Sequence, residues 1–496
     1  MNITDDEEFL SHFQGEILEG IVDLLVLHSE DVSDFGSVPI GPSLVMSALS
    51  TITQDEAKWT HAIQYIVRKM PSYAIVVINE MIKEMPCPSA ATVGEVFALQ
   101  YQLSELRSDS FFYYRKLDVN ICAVLGCLAH KMAGVFSEEI FTTNVWNYLL
   151  RFLIHRRSPL QILMALIAIE KFAITSENKI KIVAAFQQMN QNPLINLMDF
   201  LTSEDYIQYQ VGFCARWALD NTFTVPGRDP TYLSVDMSGI NVTLSQCTGY
   251  FMKISPDGLE VRCDTNEYGT VRATGEACLG SWYYETSLVS LGPMRIGFAS
   301  SKADMSDDYV VGSDANSVGY DGSVKCLWTN SEKQTLDDPP FWKAGDVVGF
   351  FINIDQKTIY LVLEDTTIMT TAPDLFDDDL ACGTETSYFP VVTLAPYQQC
   401  RFNFGAKPFV HTPPEANFST FNAACQLAAE EKMVKSKTTF QSENSNFNES
   451  SDACILCYDN IADTKLLPCG HTCFCKSCAG KLQICPVCCA DIDNRV

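Results

Sequence analysis

Between Cys454 and Cys489 this 496-residue chain gathers nine of its twenty cysteines, together with His471. Eight of these residues form four short pairs: Cys454-x2-Cys457, Cys469-x-His471, Cys475-x2-Cys478 and Cys485-x2-Cys488, with Cys473 and Cys489 left over. Zinc takes four thiolate or imidazole ligands at tetrahedral corners, and a Cys-x2-Cys knuckle offers two of them from one tight turn. Four half-sites in order point to two zinc ions. Cys473 competes with Cys475 for the fifth ligand position, but only Cys475 keeps the two-residue spacing to Cys478.

The chain as a whole is too long for one core and implies about three domains. Its 47% hydrophobic and 19% charged residues are a globular composition. The formal net charge of −27 argues against unaided binding to nucleic acid, which needs clustered Lys and Arg. Residues 230–410 hold 24 Asp and Glu against 11 Lys and Arg, close to half of that excess. A solvated, mutually repelling surface accounts for this; attraction of a basic peptide is the sharper alternative. The N-terminal Met1-Asn2-Ile3-Thr4, followed by Asp5 to Glu8, lacks the basic and apolar regions of a signal peptide. The most apolar run, Leu160 to Ile169, is about half the length a bilayer crossing requires and is flanked by Arg156, Arg157, Glu170 and Lys171. A cytosolic or nuclear location is expected, with no membrane partner. There thiols stay reduced, and a dense cysteine cluster reads as metal rather than disulfide.

Residues 1–225 read as all-α. Leu160, Leu163, Met164, Ile167 and Ala168 recur at helical spacing after the cap Ser158-Pro159, while Ile162, Leu166 and Ile169 fill the opposite face, so this helix is expected to be buried all round. Thr175 or Ser176 caps the next, through Ile180, Val183, Ala184 and Phe186, and Asn192-Pro193 and Thr202-Ser203 punctuate two more. Short helices broken in this way suit either an α-solenoid of armadillo type or an irregular bundle. Residues 230–410 change to aromatic and β-branched alternation with frequent glycine, the pattern of an all-β sandwich. Residues 411–450 read as a flexible tether with a short amphipathic helix over Ala423 to Val434, His411 being a surface residue. Residues 451–496 are the zinc module.

Within the β region, Gly280-Ser281-Trp282-Tyr283-Tyr284-Glu285, Arg295-Ile296-Gly297-Phe298-Ala299, Ser317-Val318-Gly319-Tyr320-Asp321-Gly322 and Gly345-Asp346-Val347-Val348-Gly349 resemble the core strands of a SPRY domain. Tyr388-Phe389-Pro390-Val391-Val392 and Asn403-Phe404-Gly405 are similar to its last strands. The resemblance implies a β-sandwich that binds peptide segments on loops at one edge without catalysis. Trp282 is expected in the core. The acidic loops Asp304 to Asp308 and Asp377 to Asp379 are candidates for attracting a basic partner.

The order of three cysteines, one histidine and four cysteines around Pro468-Cys469-Gly470-His471 resembles a RING finger of C3HC4 type. The resemblance implies alternating ligand pairs. Cys454, Cys457, Cys475 and Cys478 would hold one zinc; Cys469, His471, Cys485 and Cys488 would hold the other. Each metal then staples distant segments, so a domain of about forty residues stands without a large core and unfolds on chelation. Helical region, SPRY domain and RING in this order resemble the RING finger and SPRY domain-containing protein family. That implies a ubiquitin ligase. Its RING binds a ubiquitin-charged conjugating enzyme (E2) and promotes transfer to a substrate lysine by positioning, and its SPRY domain recruits the protein substrate. By the same resemblance Ile455, Leu482 and Pro486 form the E2 contact, while Leu466 and Leu467 look more like core. Neither Cys473 nor Cys489 has an activating neighbour beyond the metals, so no covalent intermediate on the chain is expected. One departure matters: Cys489 and Ala490 stand where many active relatives carry Arg or Lys. A zinc-containing adaptor without transfer activity is therefore the alternative. Sequence leaves the oligomeric state open.

Overall fold

The computed structural model describes residues 17–24, 43–71, 74–105, 111–155, 157–249, 251–306, 309–336, 341–363, 366–370, 372–376, 386–427, 434–437, 439–440, 464–467, 476–480, 492 and 494–495. The N-terminal half is helical. Its helices are α1 (17–24), α2 (Ser43–Ile52), α3 (Glu56–Lys69), α4 (Ile75–Glu84), α5 (Ala90–Glu105), α6 (Phe111–Lys131), α7 (Val135–Ile140), α8 (Thr143–Ile154), α9 (Pro159–Phe172), α10 (Ser176–Gln188), α11 (Pro193–Leu197) and α12 (Tyr206–Asn221). α9 begins as its sequence dictates. The Ser158 hydroxyl accepts from the Gln161 N–H, the Gln161 side chain accepts from the Ser158 N–H, and Pro159 fills the first helical position. Every residue from Gln161 to Phe172 is buried, because α6, α8 and α12 surround the helix. The burial includes Glu170 and Lys171, which in sequence look like the polar end of an apolar run. The packing has a period the sequence lacks: α3 lies on α6, α6 on α9 and α9 on α12.

α10 departs from the expected face. Ile182 and Phe186, one turn apart, are buried, Val183 is half-buried, and Ile180 and Ala184 are exposed, Ile180 at 69%. An i, i+4 pair of larger side chains won the contact with the core. Asn192 caps α11 through the Leu194 N–H, and Asp205, rather than Thr202 or Ser203, caps α12.

The second half is a two-sheet sandwich. Its strands are β1 (Lys253–Ile254), β2 (Glu260–Arg262), β3 (Gly269–Arg272), β4 (Ser281–Leu288), β5 (Met294–Ser300), β6 (Ser317–Asp321), β7 (Cys326–Thr329), β8 (Glu332–Thr335), β9 (Val347–Asn353), β10 (Thr358–Leu363), β11 (Thr366–Thr370), β12 (Tyr388–Leu394), β13 (Gln399–Asn403) and β14 (Ser419–Thr420). One sheet runs β1-β2-β13-β4-β9-β10-β11, with β14 beside β4, and the other β3-β12-β5-β6-β7-β8. Period-two alternation sends Tyr284, Phe350 and Phe298 into the space between the sheets. Tyr283 points the other way, and its ring fills the space a Cβ at Gly349 would need, 2.1 Å from its hydroxyl. Trp282 is partly buried against the core, 5.0 Å from Phe421 between ring centroids, as expected of a packing residue.

The stretch expected as the start of a tether is part of this sandwich. After Gly405, at φ +101°, the chain turns back over the outer sheet face. Phe409 and Phe418 cover Tyr283, β14 pairs parallel with β4 (Ser419 opposite Trp282), and Phe421 is fully buried in the core. His411 is half-buried: its N–H donates to Glu285 Oε1 at 2.7 Å, and its Nε2 lies 2.7 Å from the Val347 carbonyl oxygen. Of the helix expected over Ala423–Val434, residues 428–433 lie outside the described residues; at its start the chain makes a single turn, α13 (Phe421–Ala424), which ends at the cap Cys425. Val434 and Ser436 are again buried, and Lys435 exchanges hydrogen bonds with Gln246. An outer sheet face carrying Tyr283, Phe351 and Val362 requires an apolar cover, and this segment supplies it.

Candidate functional site

The zinc-ligand ladder follows the sandwich in the chain. Of its eight residues, Cys478 lies on a described element, the helix Lys476–Ala479; Cys454, Cys457, Cys469, His471, Cys475, Cys485 and Cys488 lie outside the described residues, as do Ile455, Leu482 and Pro486. The described parts form a small frame. β15 (Leu466–Leu467) pairs antiparallel with β16 (Asn494–Arg495), and the Arg495 Nε–H donates to the Ala479 carbonyl oxygen at 2.7 Å, closing the end of the helix. Leu466 and Ala479 are buried between these pieces, so Leu466 has the core role its sequence suggested. In the sequence, Cys475 immediately precedes that helix, and Cys469 and His471 come shortly after β15. Seven thiols and one imidazole are the donor set of structural zinc, and the frame joins the chain segments on either side of it. Among the described residues no other cluster of three or more His, Cys, Asp or Glu could hold a metal.

On the sandwich, the chain leaving β5 and the chain entering β12 meet at one place. Tyr388 pairs with Ser300, and the Ser301 N–H donates to the Ser387 carbonyl oxygen at 2.7 Å. The loop after β5, which carries Asp304, and the chain before β12 therefore share one end of the sheet. Asp307, Asp308 and Asp377 to Asp379 lie outside the described residues.

The opposite edge is closed by the helical region. There Lys253 bridges Glu170 and Asp264, the latter at 2.7 Å, and Arg262 Nε holds Asp264 Oδ1 at 2.8 Å. Arg262 also donates to Gln210 at 2.8 Å and Gln399 at 3.2 Å, while the Tyr209 hydroxyl donates to Glu260 at 2.8 Å. Burial works against the Asp264 carboxylate, but Arg262 and Lys253 outweigh it and hold its pKa well below the ordinary range. Burial likewise opposes the Lys253 charge, and Asp264 foremost holds its pKa above the usual lysine value. Tyr397, at φ +70°, leaves the sandwich altogether and packs within the helical core. None of these residues stands out in sequence. The available signal was Glu170-Lys171 directly following the apolar run Leu160 to Ile169 within α9, where both are buried.

A SPRY domain family model matches residues 281–407, and a zinc finger model, C3HC4 type (RING finger), matches residues 450–495. The chain carries a SPRY domain and a RING finger. Among curated proteins it is similar to "E3 ubiquitin-protein ligase RKP" of Arabidopsis thaliana, 30% identical over 28% of this chain and 10% of that one. It is also similar to "E3 ubiquitin-protein ligase NEURL3" of Mus musculus, 44% identical over 8% of this chain and 17% of that one. "Probable ATP-dependent RNA helicase ddx1" of Dictyostelium discoideum is 27% identical over 31% of this chain and 18% of its own length. The chain thus spans less than a fifth of each of these relatives. Among solved structures, the SPRY domain of human HERC1 matches at 12% identity, covering 32% of this chain and 93% of that one, with a TM-score of 0.26. The TRIM65 PSpry domain matches at 17% identity over 33% and 90%, also with a TM-score of 0.26. The RING match covers the whole cysteine ladder, and the SPRY match runs from β4 to just beyond β13. No described helix is long and apolar enough to cross a membrane.

Proposed function

We propose that this chain is a RING-type ubiquitin ligase: its RING binds a ubiquitin-charged E2, and its SPRY domain recruits a protein substrate. The observation that carries the proposal is the C3HC4 match over residues 450–495, laid on the eight-residue ladder of zinc ligands. Similarity to two E3 ligases supports it. In this proposal two structural zincs hold the fold, Cys454, Cys457, Cys475 and Cys478 about one and Cys469, His471, Cys485 and Cys488 about the other. They supply no nucleophile. Ile455, Leu482 and Pro486 present an apolar contact to the E2, and the thioester is attacked by a lysine of the substrate, a gain from positioning. The helical region braces the sandwich at the β1-β2-β13 edge, which leaves the acidic chain after β5 and before β12 to meet a basic segment of the substrate.

The test is autoubiquitination by the purified full chain with activating enzyme, ubiquitin, ATP and a broad panel of E2s. Wild type is expected to build chains; Ile455→Ala is expected to lose at least tenfold in rate while keeping two zincs by elemental analysis. No chains with any E2 would favour the zinc-containing adaptor, the reading suggested by Cys489 at the usual basic position. Loss of zinc from the Ile455→Ala protein would show packing mistaken for contact.

A further inference from the structure

The segment leading to the RING stays on the body beyond the last strand of the sandwich. Val434 is buried and packs in the sandwich core, its Cγ2 3.4 Å from where a Cβ at Gly258 would stand. Gln246 clamps the next residue at two points: its Oε1 accepts from the Lys435 N–H and its Nε2 donates to the Lys435 carbonyl oxygen, each at 2.8 Å. The buried Ser436 hydroxyl accepts from the Thr439 N–H at 3.1 Å, and the Phe440 N–H donates to the Ser436 carbonyl oxygen at 2.8 Å, so a single turn is capped by its own serine. In that turn the Lys437 N–H donates at 2.8 Å to Oδ1 of Asn221, the last residue of α12. One short segment therefore grips the sandwich with its first two residues and the helical region with its fourth. Phe440 lines, with Arg216, Trp217, Tyr232 and Pro256, a cavity of about 40 Å³, which has room for a few waters and no larger guest. The groove at this joint is filled by the chain itself.

The docking is shallow. Lys435 and Phe440 are half-buried, and Lys437 and Thr439 are exposed. Backbone held by side-chain amides, set against the conformational freedom of seven residues, puts the segment at the low end of local stability. It belongs to no sheet, so its opening breaks no strand ladder. Its place in the chain gives that opening a consequence. Thirteen residues separate Phe440 from Cys454, the first candidate zinc ligand, about 45 Å at full stretch. From Leu427, the last described residue before the segment, there are twenty-six, about 90 Å at full stretch.

We propose that residues 434–440 are a releasable strap that sets the reach of the RING. Docked across the joint between helices and sandwich, it holds the linker to its shorter length; released, it doubles the radius open to whatever the RING carries. The use made of that radius rests on the ligase activity proposed above, whereas docking and release do not.

Hydrogen exchange of the zinc-loaded full chain, combined with X-ray scattering in solution, tests the strap. Amides of residues 434–440 are expected to exchange at least tenfold more slowly than in a free peptide of the same sequence. They should also exchange at least a hundredfold faster than those of Ile167 to Ile169 in α9, the mark of local opening. Gln246→Ala/Val434→Ser should remove most of the strap's protection and increase the maximum dimension in scattering, with exchange in α9 unchanged. Lys302→Gln, on the loop after β5, should alter neither. Peptide-like exchange in the wild type, exchange as slow as that of α9, protection retained in the double variant, or protection lost without growth in dimension would each overturn the proposal. None of these readouts involves ubiquitin transfer, so failure of the strap and failure of the ligase activity show separately.

Discussion

Asp264 is the residue on which the joint between helices and sandwich turns. Its side chain is largely buried and accepts from Lys253 and Arg262, so removing its charge leaves Arg262 without a carboxylate and Lys253 with Glu170 alone. Asp264→Asn is expected to cost about 3–5 kcal/mol, the usual scale for breaking a buried ion pair, read by urea denaturation at pH 7. The sign with pH is fixed. A carboxylate whose folded pKa is depressed contributes stability above its unfolded value, near 4, and loses it as pH falls through the folded one. The deficit of Asp264→Asn should therefore shrink below about pH 4; a deficit constant with pH would refute this account. Lys253 and Asp264 read in sequence as ordinary surface charges. Their burial depends on which element faces them, and that element comes from another part of the chain.

At the scale of elements, the segment after β13 is the instructive case. Its composition, with Pro413-Pro414 and few long apolar runs, reads as a linker, and only isolated aromatics interrupt it. Those aromatics are what the fold uses: Phe418 joins Phe409 over Tyr283 on the outer face, and Phe421 completes the core between the sheets. In the full chain Phe421→Ala should destabilise by about 3–5 kcal/mol, the scale for emptying a buried phenyl site. Leu279→Ala, at a side chain 68% exposed, should stay within about 0.5 kcal/mol. Equal effects of the two in chemical denaturation would show that the segment rests loosely on the sheet. Single bulky residues in a polar stretch carry no periodicity, so their docking was not legible. The α9 cap and its all-round burial were legible, because capping and apolar spacing are local signals.

For the whole molecule, helices and sandwich share buried side chains, Tyr397 foremost, whereas the RING is expected to owe its fold to metal. Chelation of zinc from the full chain should abolish the ordered state of residues 451–496 and leave the melting transition of the helical and sandwich regions within about 2 °C, a shift on the scale of about 1 kcal/mol for so large a body. Scanning calorimetry with and without chelator measures it; collapse of the main transition would mean that the zinc module also holds the body together.

Sequence alone determined the order of the regions, the resemblance to SPRY and RING domains and the choice of eight candidate zinc ligands. Each rests on spacing along the chain, and spacing survives without a third dimension. Tertiary structure decided what closes the sandwich, which edge the helices cover and where charge is buried. These are meetings of residues as far apart as Glu170 and Lys253, or Trp282 and Phe421, and no local pattern records which distant partner a side chain will find.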